Sequence, residues 1–132
     1  MLSYHLANEK ILLFGLDDAL ASELAGALAG QQRQFASAPF RRTAGGMRQT
    51  IQPGVGLVFC PAETERYELL LNFIRRERPT LPVVVVSRRA EVSDWLDAIE
   101  AGAADYCSPP FDSAQLRWII ENTLKYRPRV AA

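Results

Sequence analysis

The sequence predicts an α/β domain built on an open, doubly wound parallel sheet of five strands, each followed by a helix. Three observations carry this. Lys10 to Phe14 (KILLF), Val55 to Phe59 (VGLVF) and Val83 to Val86 (VVVV) are short apolar runs without polar alternation, as expected of strands buried on both faces. Apolar stripes at helical spacing lie between and after them, marking helices with one face on a core. The two kinds of segment alternate along the chain, and right-handed crossovers stack such an order into a single sheet covered on both sides.

The first strand, near 10–14, stops at Gly15, and Asp17 and Asp18 form an acidic cap for a helix near 18–29 with Leu20, Leu24 and Leu28 on one face. QFASA reads as a weak second strand near 33–37, followed by a helix near 41–51 that Gly45 and Gly46 interrupt. The third strand, near 55–60, precedes a helix near 64–78 whose stripe of Leu69, Leu70, Phe73 and Ile74 ends before Pro79. After the fourth strand, near 82–87, comes a helix near 91–101 with Val92, Leu96 and Ile99 as its core stripe and Trp95 beside it. The fifth strand, near 104–107, leads past Asp112 into a helix near 113–125 that turns Leu116, Ile120 and Leu124 inward and leaves Trp118 and Ile119 at its side. One domain is expected to span 1–132, with a core over about 10–125; the tail from Arg127 to Ala132 is expected to fray, with no output domain after it.

Composition narrows the function. Lys plus Arg and Asp plus Glu number 15 each, so the domain as a whole has no electrostatic reason to bind nucleic acid or a membrane surface. Arg75, Arg76 and Arg78 fall at one end of the expected sheet and Arg88 and Arg89 at the other, which reads as solvated charge and not as a basic patch. The N-terminus MLSYHLANEK lacks the order of a signal peptide, and no apolar run approaches the roughly 18 residues of a membrane span. A cytoplasmic protein is expected. Cys60 and Cys107 have no metal-ligand spacing and the single histidine, His5, lies outside the expected core, so no structural metal site is expected.

In a doubly wound sheet the functional crevice lies beyond the carboxyl ends of the strands. That directs attention to Gly15 to Asp18, Cys60 to Glu63, Ser87 to Arg89 and Cys107 to Pro110. Over roughly Lys10 to Lys125 the chain resembles the receiver domains of two-component signalling, CheY-like members of the response-regulator family. The resemblance rests on the separation of Ser87 from Pro109, the AGAADY block from Ala101 to Tyr106, and the pair Pro110-Phe111 opening the last helix. It implies a flavodoxin/CheY-like three-layer sandwich with strand order 2-1-3-4-5, and a cis bond between Pro109 and Pro110. In that order the fourth strand separates Cys60 from Cys107 by about 9 to 10 Å, beyond disulfide reach.

Receivers hold Mg²⁺ between an acidic pair after the first strand and a phosphorylated aspartate ending the third, with a Ser or Thr and a lysine on the phosphoryl oxygens. By that resemblance Gly15 and Leu16 stand at the acidic pair, with Asp17 next to it. The acceptor column falls on Cys60 or Pro61, the hydroxyl on Ser87, and the lysine on Pro109. A register with Asp17 and Asp18 as the acidic pair needs a two-residue insertion in the first turn. Phosphoryl transfer rests on metal and cation charge at the transferring group, which Leu16, Cys60 and Pro109 do not supply.

The resemblance therefore implies a degenerate receiver, a bacterial signalling domain with no catalytic residues, no metal and no cofactor. It acts by contact with a kinase, regulator or output protein, or as a homodimer, through the fourth helix, fifth strand and fifth helix, with Trp95, Tyr106, Trp118 and Ile119 on that face. The first alternative is a divergent but phosphorylatable response regulator using Asp17, Asp18 or Glu63 in a phosphorelay. The second is a thiol redox protein using Cys60 at a strand end in the crevice. A flavodoxin-type cofactor is disfavoured, because GLDDALAS puts two carboxylates where a phosphate needs free backbone N–H groups.

Overall fold

The computed structural model describes residues 10–89 and 91–125. His5 and the tail from Arg127 to Ala132 lie outside them. The elements, in chain order, are β1 (Lys10–Phe14), α1 (Asp18–Leu28), β2 (Phe35–Ala38), α2 (Ala44–Thr50), β3 (Val55–Pro61), α3 (Thr64–Glu77), β4 (Val83–Val86), α4 (Val92–Ala101), β5 (Asp105–Cys107) and α5 (Ser113–Lys125). All pairings are parallel and the order is β2-β1-β3-β4-β5.

Side-chain alternation along the central strands divides the interior into two halves. Leu12 and Phe14 of β1, Val58 and Cys60 of β3, and Val83 and Val85 of β4 face Met47 of α2, Leu70, Phe73 and Ile74 of α3, and Ala98 of α4. Ile11, Leu13, Leu57, Phe59, Val84 and Val86 face Leu20, Leu24 and Leu28 of α1 and Leu116, Ile120 and Leu124 of α5. With every residue of β3 and β4 buried, the strands have no polar face to show. That is why their sequences do not alternate. Among the described residues no helix is long and apolar enough to cross a membrane.

Several boundaries move for local reasons. A turn over Ala29–Gln31 follows α1 and leaves Gln32 left-handed at φ 57°, so β2 begins only at Phe35. Helix α2 starts at Ala44 because the Thr43 hydroxyl accepts a 3.0 Å hydrogen bond from the Gly46 N–H. Gly45 and Gly46 thus form its first turn instead of breaking it.

The larger corrections concern the last two helices. Val92, Leu96 and Ile99, expected in the core, are exposed together with Trp95, while Ala98 alone of α4 is buried. The helix meets α3 and the short edge strand β5, and its contribution to the core is small residues, Ala98 and, at its end, Ala101. Its large apolar side chains are left on the outer side. Ile119, expected on the signalling face, is 2% exposed and belongs to the core, whereas its neighbour Trp118 is 61% exposed. Trp118→Ala is accordingly expected to change stability by less than about 0.5 kcal/mol, and the milder Ile119→Val to cost about 1 kcal/mol. Urea denaturation of the two variants checks the contrast.

Candidate functional site

The strand ends are level: Phe14 pairs with Ala38, Pro61 with Val86, and Val86 with Cys107. Everything that follows them in the chain therefore collects at one edge of the sheet. Gly15, directly after β1, has φ +81° and donates its N–H to the Ala38 carbonyl at 2.8 Å. A side chain there would put its Cβ 2.7 Å from that of Phe40. The Phe40 ring lies 5.2 Å from that of Phe14, centroid to centroid, and the Arg66 guanidinium carbon sits over the Phe40 ring at 5.2 Å from its centroid. Arg66 Nη1 donates to the Gly15 carbonyl at 3.4 Å. Its Nε is 3.2 Å from Glu63 Oε2, close enough to pair in charge, yet buried and not aligned for a hydrogen bond.

Leu16 packs against the α1 and α5 side of the core. Asp17 is the N-cap of α1, taking the Leu20 N–H at 2.9 Å, and the same Oδ1 receives Arg88 Nη2 at 2.6 Å. The Leu20 N–H first, and Arg88 second, hold this carboxyl below the usual aspartate range. Asp18 is exposed in the first turn of α1. The Asp17–Arg88 pair joins the loop after β1 to the loop after β4, so a cation from the chain itself reaches over the strand ends.

Cys60 and Pro61 can now be told apart. Cys60 points into the core beside Val58 and Val85 and is 0% exposed, which overturns the expectation of a thiol in the crevice. Burial pushes its pKa far up, so it is a poor nucleophile. Pro61 is the last residue of β3 and is also buried. Both cysteines are free, on opposite faces of the sheet with β4 between them.

On the far side, the Ser87 N–H donates to the Cys107 carbonyl at 3.0 Å and its hydroxyl accepts the Arg89 N–H at 3.0 Å. The Tyr106 hydroxyl donates to the Arg89 carbonyl at 2.7 Å, folding its ring toward the loop after β4. Burial raises the Asp105 carboxyl, against the pull of the Tyr106 N–H. The Pro109–Pro110 bond is cis. Beside these residues a groove of about 360 Å³ runs between α4 and the start of α5, with Val92, Trp95, Tyr106, Pro109, Pro110 and Gln115 in its walls.

These residues do not fit a magnesium ion. An octahedral hard cation takes several oxygen ligands, but Gly15, Leu16, Pro61 and Pro109 offer no side-chain oxygen, and Asp17 Oδ1 already serves two donors. Among the described residues no group of three or more His, Cys, Asp or Glu is placed to hold a metal. The reach of Arg88 to Asp17 and the seat of Arg66 on Phe40 were not evident from sequence. Both are contacts between separate loops; only the adjacency of Arg88 to Ser87 hinted at the first.

No family model matches the chain. It is similar to the nitrogen assimilation regulatory protein NtrX of Azorhizobium caulinodans, 38% identical over 56 residues, covering 42% of this chain and 12% of that protein. It is also similar to the KDP operon transcriptional regulatory protein KdpE of Escherichia coli K12, 45% identical over 49 residues, 36% of this chain and 22% of that one. The match thus spans less than a quarter of either relative. Among solved structures, the receiver domain of NtrX from Brucella abortus superposes with a TM-score of 0.71 at 25% identity, covering 87% of this chain and 98% of that domain. A response regulator from Thermotoga maritima gives a TM-score of 0.72 at 20% identity, covering 90% and 99%. The chain has the fold of the CheY-like receiver domains of response regulators, and over part of its length its sequence is similar to theirs.

Proposed function

We propose that this receiver domain works without aspartyl phosphorylation, as a non-catalytic signalling module that acts by protein contact through α4, β5 and α5. One observation carries the reading. At the ends of β1, β3 and β5, the positions that the resemblance assigns to the acidic pair, the acceptor and the lysine hold Gly15 and Leu16, Cys60 or Pro61, and Pro109, none of which has a carboxylate to bind metal or form an acyl phosphate, or a cation to neutralise a phosphoryl group. Phosphoryl transfer draws most of its stabilisation from preorganised charge at those places. Of the carboxylates close by, Asp17 is held by Arg88 and by its own helix, and Glu63 is paired in charge with Arg66 at 3.2 Å.

Contact-driven signalling has support on the opposite side of the β4 loop. The Tyr106–Arg89 hydrogen bond ties β5 to the loop leading into α4, and exposed apolar residues of α4, Val92 and Trp95, lie in the groove beside Tyr106. In this reading the protein is cytoplasmic and its partner is another signalling protein.

Intact-mass spectrometry tests the proposal. After incubation with a small-molecule phosphodonor and Mg²⁺, the mass is expected to be unchanged. An added phosphate mapped to Asp17, Asp18 or Glu63 would overturn the reading and establish a phosphorylatable regulator with a displaced acceptor.

A further inference from the structure

The outer side of α4 has a composition unlike the rest of the surface. Val92, Trp95, Leu96 and Ile99 stand at the i, i+3, i+4 and i+7 spacing of a single helix face, and all four are exposed. That face borders the groove between α4 and α5, and Trp118 lies one turn beyond Gln115 of the groove wall. Single exposed apolar residues need no explanation, but a four-residue stripe that includes a tryptophan marks a contact surface.

The charge around the stripe is of one sign. From Glu91 to Ala101 the sequence has four carboxylates, Glu91, Asp94, Asp97 and Glu100, and no basic residue. Glu91 has Arg89 at 3.9 Å. The other three form no ion pair among the described residues. On α5 Arg117 opens toward the hollow beside Gly30 and Arg33, away from the groove.

From this surface we infer that the α4–α5 face receives a cationic amphipathic helix of a partner protein. An apolar helix face laid in a groove is a recurring mode of recognition, and lysine or arginine flanking that face would meet Asp97 and Glu100 beside Leu96. A second copy of the chain fits poorly. A two-fold contact sets a patch against itself, which here brings carboxylates against carboxylates, with cations only at the two ends of the helix, Arg89 beside Glu91 and Arg75 at the Ala101 carbonyl, to offset them.

The inference rests on the reading that the domain acts by contact, and its test is separate. The chain's two tryptophans, Trp95 and Trp118, both stand on this face, so intrinsic fluorescence reports directly on its occupancy. The probes are two synthetic amphipathic helices without tryptophan, one of leucine and lysine, the other of leucine and glutamate, titrated into the full chain. The cationic peptide is expected to shift the emission to the blue and to bind at least about tenfold tighter than the acidic one. The preference should reverse or vanish in Asp97→Lys/Glu100→Lys, whose melting curve reports on its fold. In the unaltered chain it should shrink as salt is raised.

Equal binding of the two peptides, or a preference that survives both the charge reversal and high salt, overturns the cationic helix. So does sedimentation of the free chain as a dimer that must dissociate before peptide binds, since a second copy then occupies the face. Phosphoryl uptake in the mass assay, by contrast, overturns the phosphate-independent reading whatever the peptides do.

Discussion

Gly15→Ala is expected to destabilise the domain by about 3 kcal/mol, lowering its melting temperature by about 10 °C. Two costs combine. A left-handed backbone costs an L-residue about 1 to 2 kcal/mol, and Gly15 has φ +81°. Forcing a methyl group into a filled site costs about 1 to 3 kcal/mol more, and the new Cβ would stand 2.7 Å from the Cβ of Phe40, an atom next to the backbone that cannot simply rotate away. The same displacement would disturb the Phe14–Phe40 contact and the Arg66 seat above it. Thermal unfolding checks it, and a loss under about 1 kcal/mol would show that the loop after β2 yields.

This position also bears on the chemistry. By resemblance to receivers Gly15 stands where an acidic residue holds metal, and an aspartate there has the same Cβ as alanine. Aspartate tolerates the left-handed region better than most residues, but that does nothing for the contact with Phe40. Placing an acidic residue there therefore requires rebuilding the Phe40 side of the crevice as well, which is the packing counterpart of the phosphate-independent reading we propose.

What could be read from sequence, and what could not, divides along a physical line. Runs such as VVVV at β4 identify themselves, because a strand buried on both faces leaves no other pattern. The stripe of Leu20, Leu24 and Leu28 likewise had only one core to face. Helix α4 shows where periodicity stops being informative: Val92, Leu96 and Ile99 define a face, but nothing in their spacing says whether it meets the sheet or solvent. Ala98 settled the matter, since a small residue opposite the stripe lets the helix dock on that side. Ile119 failed as a surface residue for a related reason. The core-facing side of α5 is broad enough to take Ile119 as well as Leu116, Ile120 and Leu124.

The site was legible in its gaps and not in its contacts. Residue type at Pro109 and Pro61 could be read directly, whereas the environments of Cys60 and Pro61 needed the β3–β4 register, in which Pro61 pairs with Val86 and Cys60 turns to the α3 side. The pairing of Asp17 with Arg88 joins residues 71 apart in the chain, and no local pattern encodes it.

The two buried thiols are expected to make the domain strongly sensitive to alkaline pH. Burial pushes the Cys60 thiol far above its ordinary range and, with the Asp105 carboxylate adding to it, pushes Cys107 up to about 12. Both thiols therefore keep their protons in the fold, whereas in the unfolded chain they lose them above about pH 8.5. The unfolded state then binds fewer protons than the folded one, so stability is complete below that pH and falls as pH rises through the window up to the folded values. Each thiol costs about 1.4 kcal/mol per pH unit there, and the pair about 4 kcal/mol at about pH 10. Urea denaturation at neutral pH and at about pH 10 measures this against a Cys60→Ala/Cys107→Ala variant, which starts less stable because of its two cavities but should lose little between those conditions. Equal losses in the two proteins would mean that the thiols ionise within the fold, and Cys60 would return as a reactive group near the end of β3.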